Sequence, residues 1–239
     1  MSTFIDALKF IPQHHDLILH KTAEHLEYSA AAITVALVVA IPLGVWLGHI
    51  HRGSFLAINI SNVGRALPSL AIIAIGVAVL GLGFVNVMIA LVVLAAPPML
   101  TNAYVAVDGV DPSAVDAAKG MGMRPLEVLL RVELPLALPL IFAGIRTAAV
   151  YVVATATLPA VAGGGGLGEI IVNQASYRIA GVVAGAICVA ALALLAELAF
   201  AGLQHAVTPR GLRGSQTLGP GAAVLPPGEL SATQGAIPR

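Results

Sequence analysis

Charge is what this sequence has least of. Of its 239 residues only 10% are Asp, Glu, Lys or Arg, against 58% hydrophobic, and the mean hydropathy is +0.94. A soluble globular domain carries about 25% charged residues, so an ordinary soluble enzyme is excluded. A disordered chain is excluded as well, since disorder needs low hydrophobicity and high net charge. Acids and bases balance at 12 each, and no basic surface points to nucleic acid. The single cysteine, Cys188, leaves no internal disulfide and no multi-cysteine zinc site. No GxxxxGK[ST] occurs, so the chain has no Walker A loop to hold nucleotide phosphates. No Ser/His/Asp, Cys/His or paired-carboxylate arrangement is readable either. Aromatics are only 5%, which leaves Ala, Val, Leu and Ile as the bulk of the chain. That is the composition of packed membrane helices, and the chain reads as a polytopic integral membrane protein.

A bilayer core of roughly 30 Å needs about 20 apolar residues in a helix. Five stretches reach that length, at about 28–48, 58–80, 84–107, 138–162 and 179–201. Residues 1–27 are too polar for a span and lack the basic-then-apolar order of a signal peptide. Residues 208–239 turn to Pro, Gly and Ser and are expected to be a disordered tail. Lys and Arg in the connections set the orientation. Seven (Arg52, Lys119, Arg124, Arg131, Arg210, Arg213, Arg239) fall on one side and three (Lys9, Lys21, Arg178) on the other. The expected topology is therefore five spans with the N-terminus outside and the C-terminus cytoplasmic. Gly44/Gly48 and Gly181/Gly185 have the GxxxG spacing that lets helix backbones approach, although an Ala- and Gly-rich chain also produces such pairs by chance.

The connection after the third span, 108–137, reads as structure rather than linker. It holds five of the 12 acids (Asp108, Asp111, Asp116, Glu127, Glu133). Asp111 is placed to cap a helix whose first residue is Pro112, and Ser113/Asp116 offer a capping-box spacing one register later. Val115 and Ala118 make a small apolar stripe, and Gly120 or Gly122 is positioned to stop the helix. A second short helix is expected from about Pro125 to Leu134, with Leu126, Leu129 and Leu130 on one face and Pro135 breaking it. Such a knob suits a cleft in another protein. A surface helix lying on lipid headgroups has the same pattern.

Other motifs weigh less. Gly163, Gly165 and Gly168 match GxGxxG, but that motif works between a strand and a helix, and here it follows a span. A flexible or re-entrant turn leading to Glu169 is the expected reading. Arg146 and Glu197 lie inside spans four and five, where charge is costly, and they are expected to pair. Four of the seven histidines (His14, His15, His20, His25) fall in the polar N-terminal segment and read as solvated or interfacial, with no metal site. Pro68 inside the second span, beside Arg65 and Ser69, is expected to kink it and free a carbonyl. Asn86, Asn102 and Pro97-Pro98 are candidates of the same kind.

The run Asp116-Ala117-Ala118, Gly120, Gly122, ending in Glu133-Leu134-Pro135, resembles the EAA loop of ABC-importer permeases, with Asp in place of the family's Glu. The wider run from GVDPS to LPLIFAGIRT, together with ALPSLAIIAIGVAVLGLG and GGGGLGEII, is similar to permeases for glycine betaine, carnitine or choline. The resemblance implies an all-α fold of the type I, MetI-like kind. It implies import of an osmoprotectant (proline included) by a permease that is itself no enzyme. ATP would be bound only by a partner ATPase, so the chain would carry no cofactor. Asp116, Ala117, Ala118, Gly120 and Gly122 would couple the 111–123 loop helix to that ATPase. Arg65, Pro68, Ser69 and Asn102 would border the pathway. The remaining partners would be an extracytoplasmic binding protein, a second permease copy or a related one, and lipid. The alternative is a gradient-driven secondary transporter, which would typically show inverted repeats; none is seen.

Overall fold

The computed structural model describes residues 2–55, 59, 62, 64 and 66–208, and these are helices and turns without a strand. Arg65 and the expected tail from residue 209 onward lie outside the described residues. The elements are α1 (Ser2–Gln13), α2 (His15–His49), α3 (Ser69–Leu80), α4 (Phe84–Asp108), α5 (Pro112–Gly120), α6 (Pro125–Val128), a π turn (Leu129–Glu133), α7 (Leu134–Thr155), a 3-10 turn (Leu158–Ala162), α8 (Leu167–Val172) and α9 (Gln174–Val207).

Four helical runs among the described residues are long and apolar enough to cross a membrane: His15–His49, Phe84–Asp108, Pro125–Thr155 and Gln174–Val207. The expected second span contributes α3, whose 12 residues rise about 18 Å. Pro68 does not kink a helix here but precedes one: it caps α3 with an extended backbone, and its carbonyl accepts from Ala71 and Ile72. Leu82, between two positive-φ glycines, makes the turn into α4, and the Gly83 amide donates to Ala162 at 3.0 Å.

The central seam joins α2 to α4, and α4 to α7. On α2 the buried positions Ala32, Ala36, Ala40, Gly44 and Gly48 recur every fourth residue. This stripe of small residues lets the two backbones touch. A Cβ on Gly44 would stand 2.6 Å from the Leu100 carbonyl, and one on Gly48 2.8 Å from that of Tyr104. Larger side chains on α4 (Val87, Leu91, Met99, Val107) and on α7 (Ile141, Ile145, Val152) fill the rest of this core. A second core joins α1, α8 and α9 through Ala7, Phe10, Leu167, Ile170 and Ala184. There Gly181 lies against Phe10, and Gly185 against Ile170 and Ile171. Both GxxxG pairs therefore mark contacts.

Pro135 does not break the helix that precedes it. The chain runs helical from Pro125 to Thr155, widened to a π turn just before the proline. The π turn ahead of Pro135 widens the ladder where the proline's N–H is missing, so the helix continues through it. Within α9, Arg178 has φ 58 and ψ 179, so the apolar helix effectively starts at Ile179, as expected for the fifth span.

Candidate functional site

The loop helix α5 is built by its ends. Asp111 caps it, accepting from the Ser113 amide at 2.9 Å and from the Ser113 hydroxyl at 2.8 Å. The Ser113 amide and then its hydroxyl hold the Asp111 carboxyl below the usual carboxylate range. Pro112 occupies the first turn, so the Asp111 register is used rather than the Ser113 one. At the other end Gly122 has φ +83, its amide donates to Lys119, and Met123 donates to Ala118. These two bonds form a Schellman stop, in which the left-handed residue is normally glycine. Gly120 is the last helical residue and takes no left-handed conformation.

One face of α5 is closed. Val115 and Ala118 are buried with Val110 and Val128, and Met123 and Val132 pack against them. Ala118, at 1% exposed, therefore faces its own chain, whereas Asp116, Ala117, Gly120 and Gly122 are exposed. Ala117 and Ala118 therefore take different sides, because consecutive residues lie about 100° apart on a helix. On the following helix the expected Leu face points outward. Val128 is buried, while Leu126 and Leu130 are exposed. The Arg124 amide donates to Glu127 at 2.9 Å and opens that helix.

The loop is fastened to the end of α2. Glu133, 2% exposed, meets His49 Nδ1 at 2.6 Å. Asp108 meets His51 Nδ1 at 2.8 Å. Neither histidine was singled out from sequence. The contacts span 84 and 57 residues, and no local pattern announces them.

The opposite end of α2 holds the glycine run. The Gly166 amide donates to Glu24 Oε2 at 2.8 Å. Lys21 Nζ bridges Glu24 at 2.9 Å and Glu169 at 2.6 Å. The expected flexible turn is thus a strapped one: Gly166 takes φ +83 against His25, and Gly168 lies against the Thr157 carbonyl with no room for a Cβ. His25 is no solvated residue. It is 0% exposed and its Nε2 lies 2.8 Å from the Val153 carbonyl. With Nε2 donating, Nδ1 is buried without a partner among the described residues, as is Asn86 Nδ2.

The remaining candidates are spread out. Pro68 is exposed and Ser69 half-buried at the start of α3. Asn102 is half-buried and donates to the Pro98 carbonyl at 2.8 Å, at the contact between α4 and Gly144 of α7. Arg146 pairs with Glu197 through Nε at 2.8 Å and through a second guanidinium nitrogen. Gln204 joins them, accepting from Arg146 and donating to the Pro139 carbonyl. These two charges thus brace α7 against α9.

Comparison with known proteins completes the description. Residues 40–210 match the family model described as binding-protein-dependent transport system inner membrane component. The chain is 38% identical over 208 residues to the glycine betaine/carnitine/choline transport system permease protein OpuCB of Bacillus subtilis, covering 87% of this chain and 96% of that one. It is 31% identical to the osmoprotectant import permease protein OsmW of Salmonella typhimurium, covering 87% and 100%. Among solved structures it resembles an inward-facing MetNI methionine ABC transporter chain with a TM-score of 0.69 at 21% identity, covering 81% and 97%. That likeness shows an all-helical, MetI-like fold. The chain belongs to the family of binding-protein-dependent transport system inner membrane components.

Proposed function

We propose that this chain is the permease subunit of an ATP-driven bacterial importer for a small osmoprotectant of the glycine betaine, carnitine or choline class. The names of its relatives support this reading over a gradient-driven transporter. In it the chain performs no hydrolysis and holds no cofactor; ATP is bound and split on a separate ATPase. A binding protein outside the membrane selects the solute. The scattered aromatics agree with this division, because a quaternary ammonium is normally held in an aromatic cage.

The observation that carries the reading is the loop helix α5. It is capped at both ends, has a small core of its own, and is fastened to the bundle with Asp116, Ala117, Gly120 and Gly122 exposed. These exposed residues face the ATPase groove, and Ala118 supports them from within. In this reading the five apolar stretches are five spans, and the seven-to-three split of Lys and Arg puts the N-terminus outside and the loop in the cytoplasm. Two copies, or this chain and a related permease, enclose the pathway, bordered by Arg65, Pro68, Ser69 and Asn102.

Co-purification tests this. In mild detergent the tagged chain, expressed in its native host, retains an ABC-type ATPase, and Ala117→Trp releases that ATPase while the permease stays inserted. A wild-type chain that retains no ATPase, or that alone binds glycine betaine at submicromolar concentration, overturns the reading.

A further inference from the structure

Both stems of the loop are fastened to one place. Asp108 closes α4 where the chain leaves for the loop, and Glu133 closes the π turn where it returns. Their carboxylates meet His51 and His49, two positions apart at the end of α2. Each contact has features that mere helix packing does not require.

His51 occupies the left-handed position of a Schellman stop. Its φ is +50, its amide donates to Gly48, and the Arg52 amide donates to Leu47. The stop of α5 is built from the equivalent bonds with Gly122 at that position. An L side chain is disfavoured there relative to glycine, so α2 ends at some expense to place an imidazole beside Asp108. At the other stem Glu133 is a carboxylate 2% exposed. A buried acid persists when it is paired, and among the described residues its side chain meets His49. The π turn that ends on Glu133 is the weak link between loop and α7, since such turns distort the helical ladder. A loop joined to α7 only through a π turn could pivot alone. The two histidines deny it that freedom. They join it to α2, which is locked backbone to backbone on α4 through Gly44 and Gly48.

We infer that His49 and His51 are positioning residues for transport, tying both stems of the loop to α2 so that displacement of the loop moves α2 and α4 with it. The inference rests on the permease reading. His51→Gly is the sharpest test, because glycine suits the left-handed position and removes only the tie to Asp108; Glu133→Gln, which weakens the second tie, is its companion. The whole transporter (permease, ATPase and binding protein) is reconstituted in phosphatidylcholine–phosphatidylglycerol vesicles, and glycine betaine taken up is measured per ATP hydrolysed. Each variant retains the ATPase and hydrolyses ATP within about twofold of wild type, and uptake per ATP falls at least about fivefold, the lower end of coupling between linked sites. His51→Asn, which also tolerates the left-handed region and keeps a donor for Asp108, restores part of the ratio. An unchanged ratio in His51→Gly, or loss of ATPase binding by that variant, overturns the inference while leaving the permease reading intact. A wild-type complex that fails to assemble instead overturns the permease reading.

Discussion

The two ends of α2 are held by different chemistry. Lys21 and His49 are separated by about 40 Å of helix. At the first end Glu24 accepts a backbone amide of the glycine run and a Lys21 bridge that continues to Glu169. The glycines at 165, 166 and 168 let the chain come so close that side chains would collide. At the second end two imidazole–carboxylate pairs hold the stems of a loop that has its own small core. The first is a strap that involves backbone and cannot shift without unmaking the turn. The second is made of side-chain contacts between intact helices, so a substitution there removes a tie without unmaking any backbone element. Substitutions at the strap should register as stability, and those at the loop end as transport.

The largest expected effect lies in neither set of polar contacts but in the backbone contact beside His49. Gly48→Val forces a branched side chain into the Tyr104 carbonyl and parts α2 from α4. Overpacking of this kind costs about 3 kcal/mol, enough to lower the melting temperature in detergent by roughly 10 °C for a chain of this size. Glu24→Ala comes next, leaving the Gly166 amide unpaired and Lys21 with Glu169 alone. Allowing for solvent around these half-exposed groups, a loss of about 1–2 kcal/mol is expected, read as a lower melting temperature with the loop end unaffected.

The pair Ala118→Trp and Ala117→Trp separates support from contact. The first fills the closed core under α5 and unseats the helix, so protease sensitivity within 109–124 rises and ATPase binding is lost. The second leaves the melting temperature within about 1 °C, as surface changes usually do, and loses ATPase binding alone. Equal protease sensitivity in both would erase the distinction between the two alanines. The smallest effect is Asp111→Ala, which removes the cap. Amide exchange at Ser113 and Ala114 should speed roughly threefold to tenfold. The same loosening is expected in wild type under acid. Because folding depresses the Asp111 carboxyl, the cap's contribution is complete above that group's unfolded range and fades as pH falls through its lowered folded value.

Much of this was readable in advance where the signal is local. The Asp111 cap, Pro112 in the first turn and Gly122 at the stop lie within a dozen residues of one another and form one helix. The start and end of α4 follow from its apolar run and the Gly81-Leu82-Gly83 turn. Arg146 and Glu197 stood out because charge is rare in spans, and scarcity made their pairing legible. The recurrence of small residues from Ala32 to Gly48 was also present in the sequence, but only its last two members match a named motif.

Local patterns were silent or misleading where burial depends on a distant neighbour. His25 sits among polar residues in sequence and is wholly enclosed, because α7 and the glycine run close over it. Ala118 shares an apolar stripe with Val115, yet whether such a stripe faces a partner or its own chain depends on where Val110 and Val128 come to lie.

Composition and local order alone therefore decide that this chain is a set of membrane helices with one capped, charged helix between two of them. Apolar length, caps and turn glycines act within a few residues, so their consequences can be read without the fold. Which groups meet across 57, 84 or 142 residues was decided by tertiary structure. Those meetings depend on helix packing angles and on backbone approach at Gly44, Gly48 and Gly168, distances that no linear spacing records.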